Sequence, residues 1–194
     1  MTSSGDDALL IKAFQKGEKK AFDQLVIRHK DRIFNLCYRF LGDYDEANDS
    51  AQEAFVKAYE SLNAFRLESA FSTWLYRIAV NACKNKLGSS AYKARRKTVS
   101  LENPGHPSDE PLPMEIPNGA PSPLDRMEEK EKRALVQRAL DTLPTEFKMV
   151  VTLRDVEGLS YEDIAETTGL NLGTVKSRIA RGRTDLRNRL RGVL

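Results

Sequence analysis

Cationic side chains crowd residues 175–191: Lys176, Arg178, Arg181, Arg183, Arg187, Arg189 and Arg191 stand against a single acid, Asp185. A guanidinium can grip a phosphate or the edge of a guanine with two parallel hydrogen bonds. A second set lies at 63–86, where Phe65, Phe71, Trp74 and Tyr76 are interleaved with Arg66, Arg77 and Lys84. Aromatic faces stack on unpaired bases, cations follow the phosphates, and an amide such as Asn81 can read a flipped base edge. The same aromatic spacing also describes an ordinary helical core. Catalysis has no comparable support: the chain has no glycine-rich phosphate loop, no histidine-based triad and no paired carboxylates in an evident cleft. Cys37 and Cys83 sit in apolar helical patterns, and His29 and His106 form no cluster with them. No cofactor, metal or disulfide is therefore expected.

These side chains need helices to hold them. In 158–191, Ser160 is placed as an N-cap with Asp163 three residues on, Gly169 follows at a tight turn, and Asn171 caps the next helix. Val175, Ile179, Leu186 and Leu190 keep one face of that helix apolar and leave the basic remainder outside. This pattern predicts a helix-turn-helix whose second helix suits the DNA major groove; a structural hairpin with a solvated basic face is the alternative. Upstream, a helix over 124–143, a break at Pro144 and a helix over 146–155 are expected. The N-terminal part predicts helices over 7–16 and 19–41, stopped by Gly17 and Gly42, a third over 45–62, and a fourth capped by Ser72. Seven of the eight prolines fall between Pro104 and Pro123. The expected fold class is all-α: two small helical domains, 1–97 and 124–194, joined by an extended linker over 98–123 that could span roughly 80 Å at ~3.1 Å per residue.

Net charge is only +3, but it is segregated: 84–97 holds six bases and no acid, 43–60 six acids and one base. Separate surfaces for separate partners follow. No signal-peptide pattern or membrane-length apolar run is present, so a cytoplasmic protein is expected.

Residues 49–87, DSAQEAFVKAYESLNAFRLESAFSTWLYRIAVNACKNKL, resemble conserved region 2 of bacterial sigma factors. Residues 143–187, beginning LPTEFKMVVTLRDVEGLSYEDIAE, resemble region 4. Two such blocks in this order, separated by a linker, are similar to the extracytoplasmic-function (ECF) class. The resemblance implies an RNA polymerase subunit that binds the core enzyme (its β and β′ subunits) and directs initiation at promoter DNA. Asp49, Gln52, Glu53 and Phe55 match positions that dock on the β′ clamp helices, although core packing alone is another account of Phe55. Ser61, Phe65, Trp74 and Asn81 match positions around a loop that captures a flipped −10 base. Lys84, Lys86, Lys93, Arg95, Arg96 and Lys97 would hold nearby phosphates. Lys176, Ser177, Ala180 and Arg181 match the base-proximal face that reads the −35 element; Arg178, Arg183 and Arg187 would make phosphate contacts or structural pairs. Linker acids Glu102, Asp109, Glu110 and Glu115 would mimic RNA charge or merely accompany a flexible tether. An anti-sigma factor, often membrane-anchored, holds such proteins inactive until a stress signal arrives. The competing expectations are a free-standing helix-turn-helix regulator that binds a palindromic operator without polymerase, and a helical adaptor with no salt-sensitive DNA affinity.

Overall fold

The computed structural model describes residues 4–90, 92 and 134–190, and every regular element among them is helical. The chain divides into two compact units, Met1–Ser108 and Asp109–Leu194. The linker expected over 98–123, its acids, and Lys93, Arg95, Arg96 and Lys97 lie outside the described residues.

The first unit contains α1 (Ser4–Gln15), α2 (Lys20–Leu41), α3 (Tyr44–Ser61), a 3-10 turn (Leu62–Ala64) and α4 (Phe71–Gly88). Gly17 (φ +102°) and Gly42 (φ +72°) take left-handed conformations just after α1 and α2, where a Cβ would be strained. Asp43 Oδ1 accepts from the Glu46 amide at 3.0 Å and caps α3. The buried stripe of α3 is Ala47, Ser50, Ala51, Ala54 and Ala58. Side chains this small let α2 and α4 approach closely, and both pack on α3. Into this space α2 sends Leu25, Ile33 and Leu36, and α4 sends Leu75 and Val80. Cys37 and Cys83 are free, buried thiols. The Cys83 thiol is pushed well up, first by its hydrogen bond with Cys37 and then by burial, so it stays protonated.

The start of α4 differs from expectation. It begins at Phe71 after an extended Ala70, and no side chain caps it, so Ser72 falls inside the first turn. The buried Phe71 ring meets the His29 ring edge-on at 5.2 Å. Burial of that ring, in place of a hydroxyl cap, accompanies the earlier start.

The second unit contains α5 (134–141), α6 (Thr145–Val151), one π-helical turn (Thr152–Val156), α7 (Tyr161–Thr168) and α8 (Leu172–Leu190). The helix expected over 146–155 thus changes pitch after Val151. Val150, Val151, Thr152 and Leu153 are all buried, and the wide turn that follows presents Arg154 and Asp155 to α7 and α8. The capping box of Ser160 and Asp163 forms with both bonds present, and Gly169 closes α7 at φ +72°. Asn171 Oδ1 accepts from the Thr174 amide at 2.7 Å at the head of α8. Among the described residues, no group of three or more His, Cys, Asp or Glu side chains is placed to hold a metal ion. No described helix is long and apolar enough to cross a membrane.

Candidate nucleic-acid interface

α8 is anchored by Val175, Ile179 and Gly182, all buried. Leu186 packs on Leu140, Leu143 and Val151. The anchoring leaves Lys176, Ser177, Ala180 and Arg181 exposed; at this spacing they share one outward face. An exposed face on which the small Ser177 and Ala180 stand between a lysine and an arginine is suited to the floor of a groove.

Of the three other arginines expected at phosphates or in structural pairs, Arg187 is exposed, and Arg178 and Arg183 are engaged within the unit. Arg178 forms an ion pair with Glu146 at 2.7 Å. Arg183 donates to both oxygens of Asp155, with Nε to Oδ2 at 3.0 Å. The hydrogen bond to Asp155 is the chief cause that raises the Arg183 pKa above its ordinary value. Both side chains therefore act as structural pairs in the free protein, joining α8 to α6 and to the π-helical turn. Tyr161 escaped the sequence reading. The Arg154 guanidinium lies over its ring at 4.7 Å, and Lys176 Nζ stands 6.0 Å from the ring centroid. Nothing in the linear pattern brings Arg154 and Lys176 to one aromatic ring; only the turn geometry does.

In the first unit, the loop after α3 and the head of α4 collect an aromatic cluster. Phe65 and Trp74 have centroids 4.8 Å apart, and Phe71 lies 5.7 Å from Trp74 and 6.2 Å from Phe65. Phe65 and Phe71 are buried, whereas Trp74 is half-buried. The core and surface accounts thus divide among the residues: Phe65 and Phe71 form a backing wall, and Trp74 reaches solvent. Asn81, exposed, follows Trp74 by two helical turns on the same side of α4. Ser61 is exposed and donates its hydroxyl to the Lys57 carbonyl at 2.5 Å. Lys84 is half-buried. Lys86 is clasped between Glu46 Oε2 at 2.5 Å and Asp49 Oδ2 at 3.7 Å. The bond to Glu46 is the largest of the causes that raise its pKa, against a lowering by burial.

The outer face of α3 presents Asp49, Gln52 and Glu53, all exposed, with Phe55 half-buried beside them. Glu53 pairs with Lys57 one turn on. Phe55 is neither a full core residue nor a free ring. A further pair not foreseen in the sequence joins α1 to α2: Asp7 Oδ2 and His29 Nε2 meet at 2.8 Å in a buried contact.

Known proteins share this arrangement. Residues 25–92 match the family model "Sigma-70 region 2", and residues 125–186 match "Sigma-70, region 4". The chain is 40% identical over 194 residues to the RNA polymerase sigma-H factor of Pseudomonas aeruginosa, covering 100% of this chain and 98% of the relative. It is 39% identical over 195 residues to the ECF RNA polymerase sigma-E factor of Escherichia coli K12, covering 100% and 99%. Among solved structures, CnrH in complex with the cytosolic domain of CnrY is similar at 26% identity and TM-score 0.65, covering 96% of this chain and 98% of that one. With both region models matched in order and relatives aligned end to end, the chain belongs to the ECF class of the sigma-70 family of RNA polymerase sigma factors.

Proposed function

We propose that the chain binds core RNA polymerase, recognises −35 and −10 promoter elements and directs initiation, with no catalytic chemistry of its own and a cytoplasmic site of action. The observation that carries this reading is the division of α8: Val175, Ile179 and Gly182 are buried while Lys176, Ser177, Ala180 and Arg181 share the exposed face. In this reading 1–97 serves as region 2, 98–123 as the connecting linker and 124–194 as region 4. The acids and Phe55 on α3 dock on the β′ clamp helices, where an apolar ring in a charged rim acts as an anchor. Trp74 stacks on a base drawn from the −10 duplex, backed by Phe65, with Asn81 and Ser61 beside it. Lys84, Lys86, Arg95 and Arg96 hold phosphates near that base, and Arg178 and Arg183 steady α8 while lending charge to the −35 backbone. CnrH was solved with the cytosolic domain of CnrY, and an anti-sigma partner that covers the free chain fits the same logic.

Run-off transcription with purified core on a promoter library tests the proposal. Addition of the chain is expected to yield transcripts from an asymmetric, two-part site. Equally tight and selective DNA binding by the chain without core would overturn it in favour of a free-standing regulator.

A further inference from the structure

α3 runs directly into the 3-10 turn Leu62–Ala64. Its cap residue, Leu62, is right-handed rather than a left-handed glycine, and no basic side chain stands in the last turn. A side chain from α1 reaches across to this turn. Gln15 Nε2 donates to the Leu62 carbonyl at 3.1 Å and to the Phe65 carbonyl at 2.9 Å. A primary amide has two N–H bonds, so both are used here. The Phe65 amide also donates to the Leu62 carbonyl at 3.1 Å. The amide of Gln15 thus bridges the two ends of the 3-10 turn, which itself closes on Leu62.

The position of Gln15 is fixed from behind. It is the last residue of α1, ahead of the left-handed Gly17. Its neighbour Phe14 is buried and meets Tyr59 of α3 edge-on at 5.2 Å and Phe22 of α2 at 5.8 Å. Downstream, the chain leaves the turn extended at Phe65 (ψ 122°) and then passes through Leu67 at φ +59°, an uncommon conformation for a bulky residue. The Phe65 ring springs from the same residue whose carbonyl Gln15 holds, and it lies against Trp74 with centroids 4.8 Å apart.

We infer that Gln15 is a positioning residue for base selection: by bridging the Leu62 and Phe65 carbonyls it sets the angle of Phe65, and through it the stacking surface of Trp74. The inference rests on the proposed reading of the Ser61–Asn81 neighbourhood as a base-capture site. Gln15 touches no nucleotide itself. Its effect is on which base is accepted, because a stacking platform held at one angle admits one base geometry better than others.

The test uses holoenzyme reconstituted from core polymerase and the full chain, on promoters varied to all four bases at each −10 position. The captured position is the one whose preference disappears with Asn81→Ala or Trp74→Ala. Gln15→Ala is expected to reduce the preference at that same position about tenfold, with core affinity and the response to −35 changes preserved. Gln15→Glu keeps the length but offers no N–H to the carbonyls, and is expected to lose the preference equally. Gln15→Lys restores donors and is expected to recover part of it. Two results would overturn the inference alone: Gln15→Ala retains the preference, or it lowers transcription uniformly across the four bases as a plain loss of stability would. If Asn81→Ala and Trp74→Ala leave every −10 preference intact, the base-capture reading fails and takes the inference with it.

Discussion

Two residues on different units illustrate how charge is allotted. Arg181 is exposed beside Lys176 and Ser177, and no described acid forms an ion pair with it. At the proposed −35 contact it would therefore have no ion pair to break. Arg181→Ala is expected to cost about 1–3 kcal/mol of −35 discrimination, read as a selective loss of transcription from −35-dependent promoters with core binding intact in a pull-down. Lys86 is the opposite case, since Glu46 and Asp49 already hold it. Its pKa is raised in the folded chain by Glu46 first. A cation with a raised folded pKa contributes stability that is complete below the unfolded lysine range, ~10.4, and is lost as pH climbs through the folded value. Glu46→Gln should therefore lower the urea midpoint at pH 8, and the gap to the parent chain should narrow above about pH 10.4. A constant gap through pH 11 would show that the clasp contributes nothing through charge.

At the level of elements, most helices are legible in the chain because their signals are local. Gly17, Gly42 and Gly169 stop helices, Asp43, Ser160 and Asn171 start them, and each acts within a few residues of its own position. The site is legible where exposure follows from periodicity, as at Lys176, Ser177, Ala180 and Arg181. What escapes is set by contacts distant in sequence: the Asp7–His29 pair, Tyr161 beneath Arg154 and Lys176, the Lys86 clasp, and the early start of α4 at a buried Phe71. Gly182 belongs to the same group. A Cβ there would lie 2.7 Å from Val151 Cγ2 and 3.2 Å from Phe147 Cβ, so α8 rests directly against α6. Gly182→Ala gains up to ~1 kcal/mol of helix propensity but meets an overpacking cost of about 1–3 kcal/mol. Net destabilisation is expected, with a lowered melting temperature of the full chain and weakened −35 binding as α8 lifts. A raised melting temperature would mean that Val151 moves aside at little cost.

Across the whole molecule, the small net charge of +3 conceals surfaces of opposite sign. With a screening length of ~8 Å at physiological salt, neither surface is cancelled by charges on the far side of its own unit. The acids of α3 are suited to a basic clamp, yet they also repel phosphates and occupy the cations beside them: Asp49 stands 3.7 Å from Lys86, and Glu53 pairs with Lys57. One substitution pair should therefore move the two functions in opposite directions. In Asp49→Asn/Glu53→Gln, steering toward core weakens, and association with core is expected to slow by about tenfold at low salt with a flatter salt dependence. The same change releases Lys57 and loosens Lys86, so the free chain should bind non-specific DNA more tightly and more steeply with salt, the slope growing by about 0.9 for each phosphate newly neutralised. Stopped-flow association with core and a salt titration of DNA binding by the free chain read the two effects separately. If both fell together, the acids would serve only to keep the fold intact; if neither moved, α3 would not be the docking face.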